Sequence, residues 1–421
     1  PDLASLTDDE LVEYLRKLHP YIRDFTTNQM VAATSSGIPP GMLGAVAEAI
    51  DDPTMPMRVL GGLGDVDSAA PSFALWELSR AIRDDEELSA LFDDGIDGLL
   101  DRLETLGSSN TQQFRDGFNK FLYEYGSRGP NEWELSAQTW ETDPSIPLRT
   151  LDQVRKQPDA KNPQYGADSA SEDRQHVIEE VRSKLAELGN DELVGVFEGA
   201  LVGANQMVFR ERAKTSLVRV LHESRMAIRE LGKRHAESGT VSDPEHIFML
   251  LDEELDSFVA DPSSYSALLY DRYENWLKLW HLTPPFFLRD GIIPPLTEWE
   301  TSTPTVESIL TEGAVLAGTA GCPGVVTGRA RIVRDPTAPP DLEPGDIMVA
   351  PLTDPAWTPL FLAVDGVVVN VGGQVSHAVI VSREMGIPCV VSVPDATEQI
   401  QDGATITVDG TNGNVTLIRN P

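Results

Sequence analysis

The sequence predicts a multidomain protein of the α and α/β kind, in which a large, mostly helical part precedes a small mixed domain. Three observations carry that prediction. Apolar residues recur at helical spacing through the first three quarters of the chain, prolines then cluster between Pro284 and Thr305, and from about Gly313 short β runs alternate with turn signals. At 421 residues the chain is long enough for two or three domains. We place the helical part at 1–300, a linker at 301–312 and the small domain at 313–421.

Taken in order, Thr7-Asp-Asp-Glu10 reads as a capping box, followed by Leu11, Tyr14, Leu15 and Leu18 on one helical face. Further helices are expected over Phe73–Ile82, Asn110–Tyr125, Ser171–Leu188, Asp191–Gly232, Asp243–Phe258 and Ser264–Trp280. The polar stretch Pro144–Gly166, with four prolines, reads as the longest loop. In the small domain, strands are expected at Gly324–Val333, Asp346–Ala350, Gly366–Val371, Cys389–Val393 and Thr405–Val408, with a helix at His377–Met385. No repeat of 20–50 residues is visible.

Composition narrows the function classes. Lys+Arg 33 against Asp+Glu 67 gives a net charge of −34, which would repel nucleic acid and anionic membranes. No apolar run reaches the roughly 18 residues of a membrane helix, and the Pro-Asp-Leu start has neither the basic nor the apolar region of a secretory signal. We therefore expect a cytoplasmic protein; the opening Pro1 hints that the true start lies upstream. Cys322 and Cys389 have no metal or redox spacing. His222-Glu223 lacks the second histidine of a zinc-protease helix, so no metal site is expected. His19, His176, His235, His246 and His281 are scattered and read as structural or exposed.

The stretch "GGQVSHAVIVSREMGIPCVV", Gly372–Val391, carries the most chemistry. A largely apolar strand runs into Gly372-Gly373, which permit a tight turn and a close backbone approach to a ligand. Ser376 is then the N-cap of a helix that begins at His377 and ends at Gly386, with Pro388 beyond. A helix N-terminus disfavours the protonated imidazole and offers N–H groups to an anion, so the place suits a histidine that accepts and releases phosphate. A histidine that merely caps a turn is the commoner occupant of such a position, and the neighbouring text decides between them.

That stretch resembles the phosphohistidine signature of the PEP-utilising enzyme superfamily, whose members include pyruvate phosphate dikinase, PEP synthase, rifampicin phosphotransferase and phenylphosphate synthase. "GCPGVVTGRARIV", "LEPGDIMVAPLTDPAWTPLF" and "DGVVVNVGG" are similar to the same swivelling domain in order, so the resemblance covers Gly321 to about Ile418. It implies a small β/β/α swivelling domain with His377 as the phosphorylated residue and Gly372, Gly373, Ser376 and Arg383 as its phosphate-binding surround. Thr353-Asp354-Pro355 lies in the same motif set, and Thr353 is expected to shape the phosphate site unless the tripeptide is only a capped turn. Asn370 stands where an acidic residue is more usual, and Val379 where Ala is common.

"YGSRGPNEWELSAQTWETDP" and "FRERAKTSLVRVLHESRMAIRELGKR" look like the acceptor-binding domain of rifampicin phosphotransferase-like proteins. On the second, Arg210, Lys214 and, about three turns on, Arg225 would be helix-borne cations able to meet a phosphoryl group, and Glu211 a general base for an acceptor hydroxyl. Arg128, in a Gly-flanked loop, would contact substrate or phosphate. The plainer reading of an Arg-, Glu- and Lys-rich helix is a solvated face. Trp133, Trp140, Trp276, Trp280, Phe286 and Phe287 either line an aromatic acceptor pocket or simply fill the core.

No stretch resembles an ATP-grasp domain, and "ELGKRH" lacks the upstream glycine of a P-loop. The resemblance therefore implies the carrier and acceptor part of an ATP-dependent phosphotransferase, loaded by a separate ATP-grasp partner that holds ATP and Mg²⁺. No cofactor is assigned to this chain itself. A small phenol is the preferred acceptor, giving an aryl phosphate, AMP and phosphate. Two alternatives stay open: an antibiotic hydroxyl as acceptor, and a non-catalytic phosphocarrier.

Overall fold

The first helix begins where the capping pattern says it should. In the computed structural model, which describes residues 1–285, 288–301 and 310–421, Thr7 N donates to Glu10 Oε2 (2.8 Å) and Glu10 N to Thr7 Oγ1 (3.3 Å). The helices are α1 (Asp8–Ser36), α2 (Ile38–Ala49), α3 (Met55–Val59), α4 (Ala70–Arg83), α5 (Glu86–Asp93), α6 (Leu99–Leu106), α7 (Ser109–Tyr125), α8 (Ser145–Arg155), α9 (Pro163–Leu188) and the 47-residue α10 (Asp191–Glu237). Two more, α11 (Leu255–Ala260) and α12 (Ser266–Leu279), precede a small hairpin of β1 (Leu282–Thr283) and β2 (Glu300–Thr301). Of the expected linker 301–312, residues 302–309 lie outside the described residues, as do Phe286 and Phe287.

Two expectations are corrected. The stretch 144–166 is not one loop: α8 occupies 145–155 and α9 starts at Pro163. Ile146, Leu148, Leu151 and Val154 are buried there, and Pro147 falls in the first turn, where its missing N–H costs nothing. Nor is 243–258 one helix. Two 3₁₀ turns, Pro244–Met249 and Asp252–Glu254, lead into α11, because Leu250 and Leu251 turn extended and Glu254 accepts the Leu251 N–H (2.9 Å) to start afresh.

The chain divides into two compact units that do not follow chain order. One comprises Pro1–Asp24, Trp133–Ser136 and Arg219–Val306; the other comprises Phe25–Glu132, Ala137–Val218 and Glu307–Pro421. The first unit packs Leu11, Leu15, Ala227, Leu231, Ile247, Phe258 and Leu269 into its own core. There Asp8 receives both Arg234 (3.1 Å) and His235 (3.0 Å).

The second unit holds an eight-stranded sheet in the order β3-β10-β9-β5-β6-β7-β8-β4. Its strands are β3 (Val315–Ala317), β4 (Thr319–Cys322), β5 (Val325–Ile332), β6 (Asp346–Ala350), β7 (Gly366–Val369), β8 (Cys389–Val391), β9 (Thr405–Asp409) and β10 (Asn414–Arg419). The four strands from β5 to β8 run parallel, and the remaining pairings are antiparallel. β6, β7 and β8 are buried throughout, as largely apolar strands covered on both faces must be, and the one carboxylate among them, Asp346, is paired with Arg329 (2.8 Å). Three short helices complete it: α13 (Thr358–Phe361), α14 (His377–Met385) and α15 (Ala396–Gln399).

Helix α14 is wedged between that sheet and the helices of the same unit. A Cβ on Gly166 of α9 would meet Met385 O at 2.1 Å, so only glycine lets the two backbones come this close. Glu384 is buried and accepts N–H bonds from Leu63 and Gly64, both at 3.1 Å. Burial raises its pKa, and those two N–H groups, then Arg174, oppose the rise.

Candidate functional site

β7 delivers the chain into the turn 370–376. Asn370 is tied to Thr397 by two hydrogen bonds, its amide donating to Thr397 Oγ1 (2.7 Å) and its carbonyl accepting Thr397 N–H (3.1 Å), so an amide serves where an acidic residue was the commoner choice. Gly372 and Gly373 both keep negative φ, so neither is needed for a left-handed turn. Gly372 sits in a tight fit, since a Cβ there would lie 3.1 Å from both Ser376 Oγ and Val391 Cβ; Gly373 faces open space. Ser376 takes the extended N-cap conformation (φ −71°, ψ 160°) but its side chain does not cap. Its Oγ is buried and makes no hydrogen bond among the described residues. Gly386, at φ 68°, closes the helix as expected.

His377 is the first residue of α14 and only 7% exposed. Both ring nitrogens are held by hydroxyls: Thr353 Oγ1 lies 3.1 Å from Nδ1 and Thr358 Oγ1 2.9 Å from Nε2. The ring meets Phe361 edge-on at 6.1 Å. Burial, and after it the charges of Lys214, Arg128 and Arg210, hold its pKa well below the usual value. The imidazole is therefore neutral near pH 7, the state in which a nitrogen lone pair can act as nucleophile.

Those three cations belong to the same unit. Arg210 donates to Val375 O, in the turn before His377, and its Nε lies 3.7 Å from the buried Glu211 carboxylate. Arg128 grips Glu132 with one nitrogen (3.0 and 3.2 Å) and donates to Thr215 with the other. Lys214 lies 3.5 Å from the same Glu132 oxygen. Glu132 is fully buried, so Arg128 and Lys214 are what make its charge tolerable. Cations 163 to 249 positions away in sequence are thus gathered around one imidazole, with positive charge where a phosphoryl group on it would need neutralising.

Two expected phosphate ligands do other work. Arg225 lies in the first unit, fully buried, with Nε on Leu135 O (3.1 Å), one terminal nitrogen on Glu134 O (2.9 Å) and the other at His222 Nδ1 (3.2 Å). It shapes the turn 133–136, and helical spacing alone could not reveal that backbone carbonyls claim it. Arg383 is buried behind the turn, donating to Gly321 O (2.8 Å) and Gln374 O (3.0 Å), and burial lowers its pKa to about 10. It braces the turn 370–376 by bonding to backbone carbonyls.

Three residues take a more definite place than their spacing assigned. Thr358 shares the stretch "TDPAWTPLF" with Thr353, and only the turn between them brings both hydroxyls to one ring. Glu132 stands four residues after Arg128, a visible pairing distance whose burial was not visible. Asp354 caps the turn Pro355–Trp357 by accepting from Ala356 N.

Among the aromatic candidates, Trp140 is core, stacked on Phe121 at 5.5 Å, while Trp276 and Trp280 meet edge-on at 5.4 Å. Trp133, 46% exposed, lines a cavity of about 430 Å³ within the first unit, together with Leu15, Ile22, Ile228, Phe248 and Leu251. Cys322 and Cys389 are buried thiols whose pKa values burial pushes up to about 12. Among the described residues no group of three His, Cys, Asp or Glu side chains could hold a metal ion, and no helix is long and apolar enough to cross a membrane.

Comparison with known proteins matches both halves of this site. Residues 25–211 match the family described as the rifampicin phosphotransferase fourth domain, and residues 342–413 match the PEP-utilising enzyme mobile domain. A rifampicin phosphotransferase of Streptomyces sviceus is 30% identical over 76% of this chain and 36% of its own length. The prodigiosin synthesizing transferase PigC of Serratia marcescens is 26% identical over 99% of this chain and 47% of its own. An uncharacterized protein of Mycobacterium tuberculosis, Rv2047c, is 32% identical over 70% of this chain and 30% of its own. The chain thus spans less than half the length of each of these relatives. With the mobile-domain signature around His377 and the helical domain carrying Arg128 and Arg210 both matched, the chain belongs to the PEP-utilising enzyme superfamily.

Proposed function

We propose that the chain is the carrier and acceptor part of an ATP-dependent phosphotransferase, with His377 as the phosphorylated residue. One observation carries this reading: a neutral, buried histidine held at both nitrogens by Thr353 and Thr358, with Lys214, Arg128 and Arg210 close enough to depress its pKa. In the described arrangement His377 is too enclosed to meet a nucleotide, so loading requires the small domain to move out and return. ATP and Mg²⁺ belong, in this reading, to a separate ATP-grasp partner.

In the transfer step the acceptor oxygen bonds to phosphorus as the P–N bond breaks. The imidazole leaves neutral because its other nitrogen keeps its proton. Lys214, Arg128 and Arg210 offset charge on the equatorial oxygens, and Glu211 takes the acceptor proton. The preferred acceptor is a small phenol, giving an aryl phosphate, with AMP and phosphate as by-products of the whole cycle. A second reading, an antibiotic hydroxyl as acceptor, is favoured by the name of the Streptomyces relative.

The test combines the chain with an ATP-grasp partner, labelled Mg-ATP and a panel of phenols and rifamycins. Acid-labile label on wild type and none on His377→Ala supports the carrier role. Equal labelling of both proteins, or none with a donor proven on another carrier, overturns it. The member of the panel that becomes phosphorylated decides between the acceptors.

A further inference from the structure

One carboxylate at the site has no part in the steps above. Asp354 follows Thr353 directly and precedes Thr358 by four residues, so a single turn bears this carboxylate and both hydroxyls that hold His377. Its Oδ1 accepts the Ala356 N–H (2.9 Å) and its Oδ2 accepts the Asn131 N–H (3.2 Å). Asn131 has φ 56°, a left-handed conformation that asparagine adopts more readily than other non-glycine residues, and the bond to Asp354 fixes its N–H in that turn. The next residue is Glu132, clamped by Arg128 and near Lys214. The turn that grips His377 is thereby tied to the turn that carries Arg128, one of its charged neighbours.

We propose that Asp354 is a positioning residue: its carboxylate holds Asn131 left-handed and thereby sets Arg128, Glu132 and Lys214 around His377. The proposal rests on the phosphotransfer reading for its purpose, though not for its geometry.

The charged groups facing Asp354 are Glu132 from the 128–132 turn and Lys214 from α10. Burial, then Glu132, pushes the Asp354 carboxyl up to about 6, while Lys214 and the two N–H groups oppose the rise. Once protonated, its hydroxyl oxygen becomes a donor and a much poorer acceptor, leaving one good acceptor oxygen for two N–H groups. The local Ala356 bond, two residues away, survives most easily, so Asn131 is released. The clamp is therefore complete above about pH 6 and opens as the pH falls through that value.

Hydrogen exchange of the Asn131 amide, followed site by site and corrected for the intrinsic pH dependence, tests this directly. In wild type, protection should fall about tenfold from pH 8 to pH 5, the order expected when a bond to a charged acceptor is lost. Asp354→Asn should show the low protection at both pH values, because its amide places a donor against a donor. The amides of β6 report on global folding and should stay protected in both. With the ATP-grasp partner and an accepted phenol, Asp354→Asn should lose about tenfold in kcat, with KM within about twofold and His377 still labelled.

Unchanged Asn131 protection in the variant and across pH sinks the proposal, as does a pH dependence of transfer near 6 that survives Asp354→Asn. If neither protein is labelled at His377, the functional reading falls and the exchange result still judges the clamp.

Discussion

Thr358 Oγ1 lies 2.9 Å from Nε2 of His377, on the opposite side of the ring from Thr353. Thr358 is fully buried, so the hydroxyl has been taken out of water to meet this nitrogen. Replacing either threonine by valine keeps the shape and leaves a buried ring nitrogen unpaired. We expect Thr353→Val and Thr358→Val each to lose about 1–3 kcal/mol of stability in denaturant titrations, with serine restoring most of it. Valine variants as stable as wild type would mean that the two bonds contribute nothing.

The depressed His377 pKa has a stability consequence with a definite sign. The unfolded chain binds a proton at this residue below about pH 6.5, whereas the folded chain resists it. The stabilising contribution is present above the ordinary histidine pKa and is lost as the pH falls below it. Urea titrations at pH 7.5 and 5.5 should show wild type losing more stability on acidification than His377→Gln. Equal losses would show that the imidazole is not held neutral.

Arg128 and Glu132 form a buried pair, with Lys214 close to the same carboxylate. Removing Arg128 alone should cost about 3–5 kcal/mol, because Glu132 then remains as an under-compensated buried charge. Arg128→Met combined with Glu132→Met should recover much of that stability and none of the phosphotransfer. A double variant no more stable than the single one would show that the pair is not what makes the arginine necessary.

Two glycines set a contrast for the packing around α14. Gly166→Ala drives a methyl group against Met385 O, backbone on backbone, and should displace α14 and lower Tm clearly. Gly373→Ala meets nothing within 4 Å and should stay within about 0.5 kcal/mol of wild type. Thermal melts of the two variants side by side suffice, and the reverse order would contradict the close approach of α9 and α14.

Much of this was legible in the residues themselves. The Thr7–Glu10 box, the strand–turn–helix around His377 and the left-handed Gly386 are local events, fixed by side-chain reach and backbone preference over a few residues. Apolar runs marked β6, β7 and β8 for the same reason. Pro144–Gly166 misled because prolines suggest a loop, and only burial of Ile146, Leu148, Leu151 and Val154 makes part of it a helix. Arg225 and Arg383 misled differently: a cation on a helix advertises its charge, while the carbonyls that claim it lie far along the chain.

The sequence by itself determined that His377 stands at a helix start behind a glycine turn, and that Arg128, Arg210 and Lys214 are present in the chain. Those are matters of residue type and short spacing. The tertiary structure decided which cations surround that histidine, that two hydroxyls hold it, and that Asp354 joins its turn to the left-handed Asn131. Such choices depend on which distant segments share a buried space, where an unpaired polar group is costly and every hydrogen bond must find a partner.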